Sequence, residues 1–116
     1  MILDTLQLRL LEKIRSDLAG YSVVRSTSPL DNRAIWLEIF AGGIHKGNSC
    51  QTLLKKLNIN CKEVAGLGND YNDIDFLDIC AEAYLVANAP VNLQRHYKLV
   101  RSDKEEGFTE FISKEL

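Results

Sequence analysis

From about Lys46 to the C-terminus, short apolar segments alternate with segments of helical character, and this alternation restricts the fold more than any other feature. "EVAGL", "YLVAN" and "YKLV" have the length and composition of strands. Helical segments precede, separate and follow them, and the connections are short. Strands that alternate with helices through short connections predict a parallel, wound α/β sheet, which is a partial Rossmann-like fold.

Several details of the helices in this part follow from local signals. Asn48 or Ser49 is the expected N-cap of the helix "NSCQTLLKKL". "DYNDIDFLDICAEA" reads as one helix whose inward residues include Leu77 and Cys80. Pro90 fits the first turn of the helix that follows "YLVAN".

The N-terminal part has a different pattern. Leucine and isoleucine recur there at helical spacing, which predicts an N-terminal helix capped by Asp4 or Thr5 and ended by Gly20. The apolar positions are Leu3, Leu6, Leu10, Ile14 and Leu18.

Two strand-like segments, "YSVVRS" and "AIWLEIF", follow this helix. "TSPLDN" between them is rich in turn formers, so an antiparallel hairpin is expected. A helix and a hairpin form a small α+β piece over residues 1–41, distinct from the α/β part over residues 42–116. The predicted linker is "AGGIHKG".

The composition excludes several classes of protein. A chain of 116 residues with 46% hydrophobic and 26% charged side chains is typical of one ordinary globular domain. A formal net charge of −2 provides no general attraction for nucleic acid or anionic membranes. No apolar run reaches the roughly 20 residues that span a bilayer, and no signal peptide is recognisable. We therefore expect a cytoplasmic protein whose three cysteines are reduced thiols.

An acidic loop follows the first strand of the α/β part. Two asparagines and four aspartates lie between Gly66 and Asp78. Ligands of a parallel sheet bind beyond the carboxyl ends of its strands, where this loop lies. Asp70 and Asp73 would repel a bare phosphate, but they suit a phosphate that is bridged by Mg²⁺, which prefers oxygen ligands. The alternative is local, because aspartates also cap helices and favour the first turn.

Lys46 bears on that choice. It lies just before or within the first turn of its helix, where a cation opposes the helix dipole. A phosphate held by Lys46 on one side, and through Mg²⁺ by the acids on the other, would explain both features. An exposed lysine at a small energetic cost remains the alternative.

These residues carry a resemblance to a known family. The stretch from "HKGNSC" through "GLGNDYND" to "VANAP" resembles the C-terminal core of haloacid dehalogenase-like phosphatases with an α/β cap. That family shows a K-G at a helix start, a strand, a G-D-x-x-N-D loop, a helix and a strand that ends in N-A. The hairpin resembles the last strands of the family's cap, so residues 1–41 would be a cap remnant.

The resemblance implies roles for individual residues. Lys46 would be the catalytic lysine that holds the phosphate, and Asn69, Asp70 and Asp73 would be the metal ligands. Asn72 and Asn88 would support the phosphate and the loop. Asn69 stands where the family has its first acid, and its neutral amide oxygen is a weaker ligand for Mg²⁺ than a carboxylate. The implied cofactor is Mg²⁺, and the implied substrate is a small phosphorylated metabolite.

One part of the family pattern is absent from these 116 residues, namely the D-x-D-x-T or D-x-D-x-V motif whose first aspartate attacks phosphorus. We therefore expect a fragment or truncated homologue of a magnesium-dependent phosphatase, inactive as this chain alone. The alternative is a non-catalytic remnant that binds a phosphometabolite or a protein. In either case an exposed sheet edge predicts a homo-oligomer or a complementing chain.

Overall fold

A computed structural model of the chain describes residues 2–4, 8–28, 30 and 34–116, with the backbone alone for residues 2–4. The packing divides the chain into two compact units, Met1–His45 and Lys46–Leu116. The division into a cap remnant over residues 1–41 and a core over residues 42–116 stays a prediction.

The described elements comprise six strands and five α-helices. The strands are β1 (Ile2–Asp4), β2 (Tyr21–Thr27), β3 (Ala34–Ala41), β4 (Ala65–Gly68), β5 (Glu82–Val86) and β6 (Lys98–Val100). The helices are α1 (Leu8–Asp17), α2 (Lys46–Leu57), α3 (Ile74–Leu77), α4 (Val91–Gln94) and α5 (Gly107–Glu115). Short 3-10 turns precede β4, α3 and α5 at Cys61–Glu63, Tyr71–Asp73 and Asp103–Glu105. No helix in the described ranges is long and apolar enough to cross a membrane.

The first unit contains an antiparallel sheet with the strand order β1-β3-β2. The predicted hairpin is confirmed, with Arg25 opposite Leu37 and Thr27 opposite Ile35. Because alternate residues of a strand point to the same face, Ile35 and Leu37 share one face, and they pack with Leu11 of α1 into a small core. Half of the turn predicted at "TSPLDN", namely Pro29, Asp31 and Asn32, lies outside the described residues.

The prediction of one helix from Leu3 to Leu18 was wrong at its N-terminal end. Residues Ile2–Asp4 form a strand that pairs with β3, and the helix begins only at Leu8. Pairing with an open edge of the hairpin satisfies the backbone of this segment, so tertiary context overrides the helical spacing of the leucines. The predicted cap Asp4 is therefore part of a strand, and the other predicted cap, Thr5, lies outside the described residues.

The second unit contains the predicted parallel sheet, with the strand order β4-β5-β6. Each pair of strands is joined by a crossover that contains a short helix. Leu85 in the central strand is fully buried, as expected for a strand that is covered on both faces. The other members of this core come from the crossover helices, the neighbouring strands and α5: Leu77, Tyr84, Val86, Ala89, Leu93, Val100 and Phe111.

Two helix predictions in this unit need correction. α2 begins at Lys46, so Asn48 and Ser49 lie inside its first turn and are not its cap. The helix predicted over "DYNDIDFLDICAEA" is only a 3-10 turn followed by Ile74–Leu77, and Glu82 and Ala83 belong to β5. Parallel pairing of these two residues with β4 supplies their backbone hydrogen bonds, which outweighs their helix propensity.

Candidate functional site

The site forms at the carboxyl end of β4, where the backbone leaves the sheet at Gly68 and enters the 3-10 turn Tyr71–Asp73. Parallel strands place their carboxyl ends at one edge of the sheet, which is the edge where ligands of such folds bind. The acidic loop expected from the sequence therefore lies at a position suited to a ligand. The predicted location of Leu77 on the inner face is confirmed, since it is 1% exposed.

Lys46 and Asp73, 27 residues apart in sequence, form an ion pair between Nζ and Oδ1. Lys46 is the first residue of α2. The carboxylate side chain of Asp73 is 5% exposed and the lysine side chain is 51% exposed. The pair therefore has a buried anionic half, which is fixed in place, and a cationic half that is accessible to solvent.

The second carboxylate oxygen of Asp73 holds the loop. Oδ2 accepts hydrogen bonds from the backbone N–H of Asn69 at 2.8 Å and of Asp70 at 3.2 Å. Asp70 in turn caps the 3-10 turn, because its Oδ1 accepts from the N–H of Tyr71 at 2.8 Å. This reciprocal arrangement is a capping box, with aspartate in the position where glutamate is usual. The aspartates therefore do cap a helical turn, which is the alternative that the sequence left open.

Glycines allow the elements of the site to approach closely. A Cβ atom on Gly47 would lie 2.6 Å from the carbonyl oxygen of Asp75, so α2 can contact α3 only because residue 47 has no side chain. A Cβ atom on Gly68 would lie 2.8 Å from Cβ of Asp73. These two glycines let Lys46 and Asp73 meet.

The two asparagines of the loop differ in their surroundings. Asn69 is exposed. Its contribution to the loop is its backbone N–H group, which donates a hydrogen bond to Oδ2 of Asp73. The side-chain oxygen Oδ1 of Asn72 is buried and accepts no hydrogen bond from any described residue. A buried acceptor without a donor costs free energy, so it marks a position where a further donor or a cation would be favourable.

Asn88 lies after β5, at the same edge of the sheet, but it contacts another segment. Its Nδ2 donates to Oδ1 of Asp103 at 2.7 Å, and its Oδ1 accepts from the N–H of Asp103 at 3.2 Å. The two hydrogen bonds fasten the end of β5 to the 3-10 turn that follows β6. Asp103 was not singled out from the sequence, and no spacing signal there would have identified it.

A second contact that the sequence did not reveal joins the loop to α4. The hydroxyl group of Tyr71 donates to Oδ1 of Asn92 at 2.6 Å. Together with the bonds of Asn88, this contact connects the segments that follow all three parallel strands. The edge is thus a hydrogen-bonded surface made of the segments after β4, β5 and β6.

The donor set at this edge suits only one kind of metal site. Within the described ranges, no group of three or more His, Cys, Asp or Glu side chains could hold a metal ion by itself. Both oxygens of Asp73 already have protein partners, as does Oδ1 of Asp70. Magnesium does not need three protein side chains, because it keeps several waters and often binds through one or two carboxylates and a substrate phosphate.

Comparison with known proteins finds a matching family and several similar structures. The family model described as haloacid dehalogenase-like hydrolase matches residues 4–112. Among solved structures, a protein from Streptococcus mutans UA159 is 26% identical with a TM-score of 0.75, and the match covers 93% of this chain. A haloacid dehalogenase-like hydrolase from Bacillus subtilis is 24% identical with a TM-score of 0.62 over 97% of this chain.

A third similar structure is the sucrose-phosphatase from Synechocystis sp. PCC6803, solved with sucrose and phosphate. It is 19% identical with a TM-score of 0.69 over 96% of this chain, a likeness that concerns the fold alone. The chain spans 40%, 42% and 46% of the lengths of these three proteins, respectively. The family model, by contrast, matches nearly all residues of this chain and includes parts of both units. The chain therefore belongs to the haloacid dehalogenase-like hydrolases.

Proposed function

We propose that this chain provides the phosphate- and metal-binding side of a magnesium-dependent phosphatase that acts on a small phosphorylated metabolite. The observation that supports this most directly is the ion pair of Lys46 and Asp73 at the carboxyl end of β4. An ammonium group fixed by a buried carboxylate, next to oxygen-bearing side chains, matches the needs of a phosphate that is bound together with a cation.

In this proposal Lys46 binds the phosphate. Its ammonium group is held by Asp73 on one side, and half of the side chain remains exposed to solvent on the other. Lys46 is the first residue of a helix of 12 residues, so the positive end of the helix dipole lies beside it. A bound anion would offset the unfavourable interaction between the lysine charge and the positive end of the helix dipole.

The metal would be held by Asn69, Asp70 and Asp73. Carboxylate and amide oxygens are the donors that Mg²⁺ prefers, and the buried acceptor of Asn72 adds negative potential nearby. When bound, Mg²⁺ would neutralise charge on the phosphoryl oxygens. Asp73 also accepts hydrogen bonds from Lys46 and from the backbone N–H groups of Asn69 and Asp70, so it would orient the lysine and the loop in addition to its place among the metal ligands.

The attacking group would come from outside these 116 residues. Transfer through an aspartyl intermediate needs a D-x-D-x-T or D-x-D-x-V segment, and the sequence has none. β4 is at an edge of the described parallel sheet, so its outer backbone groups can accept a further strand. Leu53 and Leu57 of α2 are 54% and 58% exposed. An edge strand and an apolar helix face together favour a complementing polypeptide segment that brings the nucleophile.

The substrate class rests on the similar proteins of known structure. One of them is a sugar phosphatase, and another is the sucrose-phosphatase with sucrose and phosphate bound. A sugar phosphate is therefore the first substrate class to test for an assembled enzyme. The first unit, Met1–His45, would act as part of a cap that selects among such substrates.

Titration of the 116-residue chain with inorganic phosphate, followed by ³¹P NMR with and without MgCl₂, tests the site itself. We expect phosphate binding that depends on Mg²⁺ and is about tenfold or more weaker in Lys46→Ala, since a lost charge-assisted contact is worth roughly 1.5–3 kcal/mol. Lys55→Ala, an exposed lysine of the same helix, is the matched control and should bind like the wild type. Equal binding by wild type and Lys46→Ala would contradict the proposal.

A turnover assay tests the expected inactivity of the chain alone. With p-nitrophenyl phosphate and MgCl₂, the chain alone should release no p-nitrophenol, because it lacks the nucleophile. Turnover that Asp73→Ala abolishes would contradict the expected inactivity.

The alternative is a non-catalytic remnant that binds a phosphometabolite or a protein and forms oligomers. The open edge of β4 and the exposed apolar residues of α2 favour self-association as much as they favour the binding of a complementing segment. Size-exclusion chromatography with light scattering distinguishes them. A dimer or larger species at high concentration supports the self-association, whereas a monomer at every concentration counts against it.

A further inference from the structure

The three cysteines of the chain all lie in the second unit, on three segments that meet beside β4. Cys50 is on α2, Cys61 begins the 3-10 turn before β4, and Cys80 lies between α3 and β5. All three are free thiols. None belongs to the edge of the sheet that holds Lys46 and Asp73 in the proposed function.

The packing of α2 on α3 places Cys50 on the side of α2 that faces α3. Gly47 faces α3 so closely that an added Cβ would lie 2.6 Å from the carbonyl oxygen of Asp75. Cys50 is three residues further along α2 and therefore lies on the same face, one turn on. It is half-buried, whereas its neighbours Ser49 and Gln51 are exposed, so its side chain points toward the segment that contains α3.

Cys80 is three residues beyond the end of α3. Its sulfur packs against β4, since a Cβ on Gly66 would be 2.8 Å from Sγ, and its thiol donates to the carbonyl oxygen of Phe76 at 3.2 Å. Burial raises the pKa of the Cys80 thiol, and the charges of ionised Cys50 and then Cys61 raise that pKa further.

We propose that Cys50 and Cys80 form an intramolecular disulfide when the protein meets a small-molecule disulfide such as oxidised glutathione. The bond would fasten α2 to the segment that follows α3. Cys50 is one turn from Lys46, so the crosslink would fix the same helix that carries the ammonium group of the site. The inference depends on the packing of α2 and not on the proposed function.

The reaction proceeds by two thiol–disulfide exchanges. The thiolate of Cys50 attacks one sulfur of oxidised glutathione and expels one glutathione thiolate. The thiolate of Cys80 then attacks the sulfur of Cys50 and expels the second glutathione. Two protein thiols are oxidised, one glutathione disulfide is reduced, and the two protons end on two molecules of glutathione. Cys50 reacts first because the Cys80 thiol is buried and harder to ionise.

Peptide mapping can identify the bond, because trypsin places each cysteine in a different peptide. Cleavage after Lys46, Lys55, Lys56, Lys62 and Arg95 yields separate peptides for residues 47–55, 57–62 and 63–95. After incubation with oxidised glutathione, we expect the first and third peptides to be crosslinked to each other, and the second, whose Cys61 is exposed, to carry a free thiol or a mixed disulfide with glutathione but no crosslink to either peptide.

Variants and isotope labelling make the test decisive. Cys50→Ser should abolish the crosslink between residues 47–55 and 63–95, and the matched control Cys61→Ser should form it as the wild type does. An equal mixture of unlabelled and ¹⁵N-labelled protein should give no mixed crosslink. Three thiols that stay free, a Cys61–Cys80 bond in the wild type, or a crosslink that forms only between chains would each overturn the inference.

Discussion

The ammonium group of Lys46, the first residue of α2, pairs with the carboxylate of Asp73, which ends the 3-10 turn after β4. The same carboxylate accepts the N–H groups of Asn69 and Asp70. A single buried side chain therefore joins a helix N-terminus to a loop at the carboxyl end of a strand. This relationship connects the fold of the second unit with the proposed chemistry, because it sets the positions of the lysine ammonium group and of the acidic loop together.

Replacement of Asp73 should test how much the loop depends on it. Asp73→Ala removes the acceptor of two backbone N–H groups in a residue that is 3% exposed, so we expect a loss of about 2–4 kcal/mol in the free energy of unfolding. Asp73→Asn keeps one carbonyl acceptor and should cost less. Urea denaturation followed by circular dichroism measures both.

Lys46→Ala is the internal control for this series. The lysine is half exposed, so its removal should cost at most about 1 kcal/mol. If Asp73→Ala is no more destabilising than Lys46→Ala, the loop does not depend on the hydrogen bonds of Asp73.

Gly47→Ala should destabilise the protein although alanine is the better helix former. In an exposed helix the change would stabilise by about 1 kcal/mol. Here the new Cβ would lie 2.6 Å from the backbone oxygen of Asp75, and α2 must move away from α3. We expect a net loss of about 1–3 kcal/mol by urea denaturation.

Ser49→Ala, at an exposed position of the same helix, provides the comparison and should change the stability by no more than about 0.5 kcal/mol. A stabilising Gly47→Ala would show that the two helices are not in close contact at this point.

Asn88→Ala should loosen the segment after β6. It removes both hydrogen bonds to Asp103, which together should contribute about 1–2 kcal/mol at this exposed position. Hydrogen exchange of the Asp103 amide should be faster in the variant, because its acceptor is gone. Lys104→Ala, at the exposed neighbouring residue, should leave that exchange rate unchanged. An unaltered Asp103 rate in Asn88→Ala would argue against the contact.

The stability contribution of Glu110 should depend on pH. A hydrogen bond from Lys114, and then one from the backbone N–H of Arg101, lower the pKa of this carboxyl group below its ordinary value of 4.5. A carboxyl group whose pKa is lower in the folded state stabilises the fold above its unfolded pKa, and that contribution is lost as pH falls through the folded pKa. Glu110→Gln should therefore be less stable than the wild type at pH 7, and the difference should disappear in strong acid.

Urea denaturation at neutral pH and at a series of acidic values measures this convergence. Glu106→Gln makes the same change of charge next to the start of α5 and serves as the control. A stability difference for Glu110→Gln that is constant across the series would contradict the lowered pKa.

Much of the second unit could be predicted from the sequence. Apolar strands such as β5 alternate with helical segments, and this pattern identified the parallel sheet. The position of Lys46 near the start of its helix and the acidic loop at a strand end were also recognisable. These features are local, because they depend on side-chain spacing and on residue types within a few positions.

Other features depended on contacts between distant segments. Residues Ile2–Asp4 continue a helical pattern but form a strand, since β3 offers them an open edge. Glu82 and Ala83 favour a helix but pair with β4. Asp103 has no distinctive sequence context, and its contact with Asn88 spans 15 residues.

The sequence by itself determined the residue types at the carboxyl edge of the sheet and the order of strands and helices that leads there. Only the tertiary structure decided that the ammonium group of Lys46 reaches Asp73 and that Asn88 is bound to Asp103. The physical reason is the range of the forces involved. Periodic burial and backbone preference act along the chain, whereas an ion pair between segments 27 residues apart requires Gly47 and Gly68 to permit close packing, which no local pattern specifies.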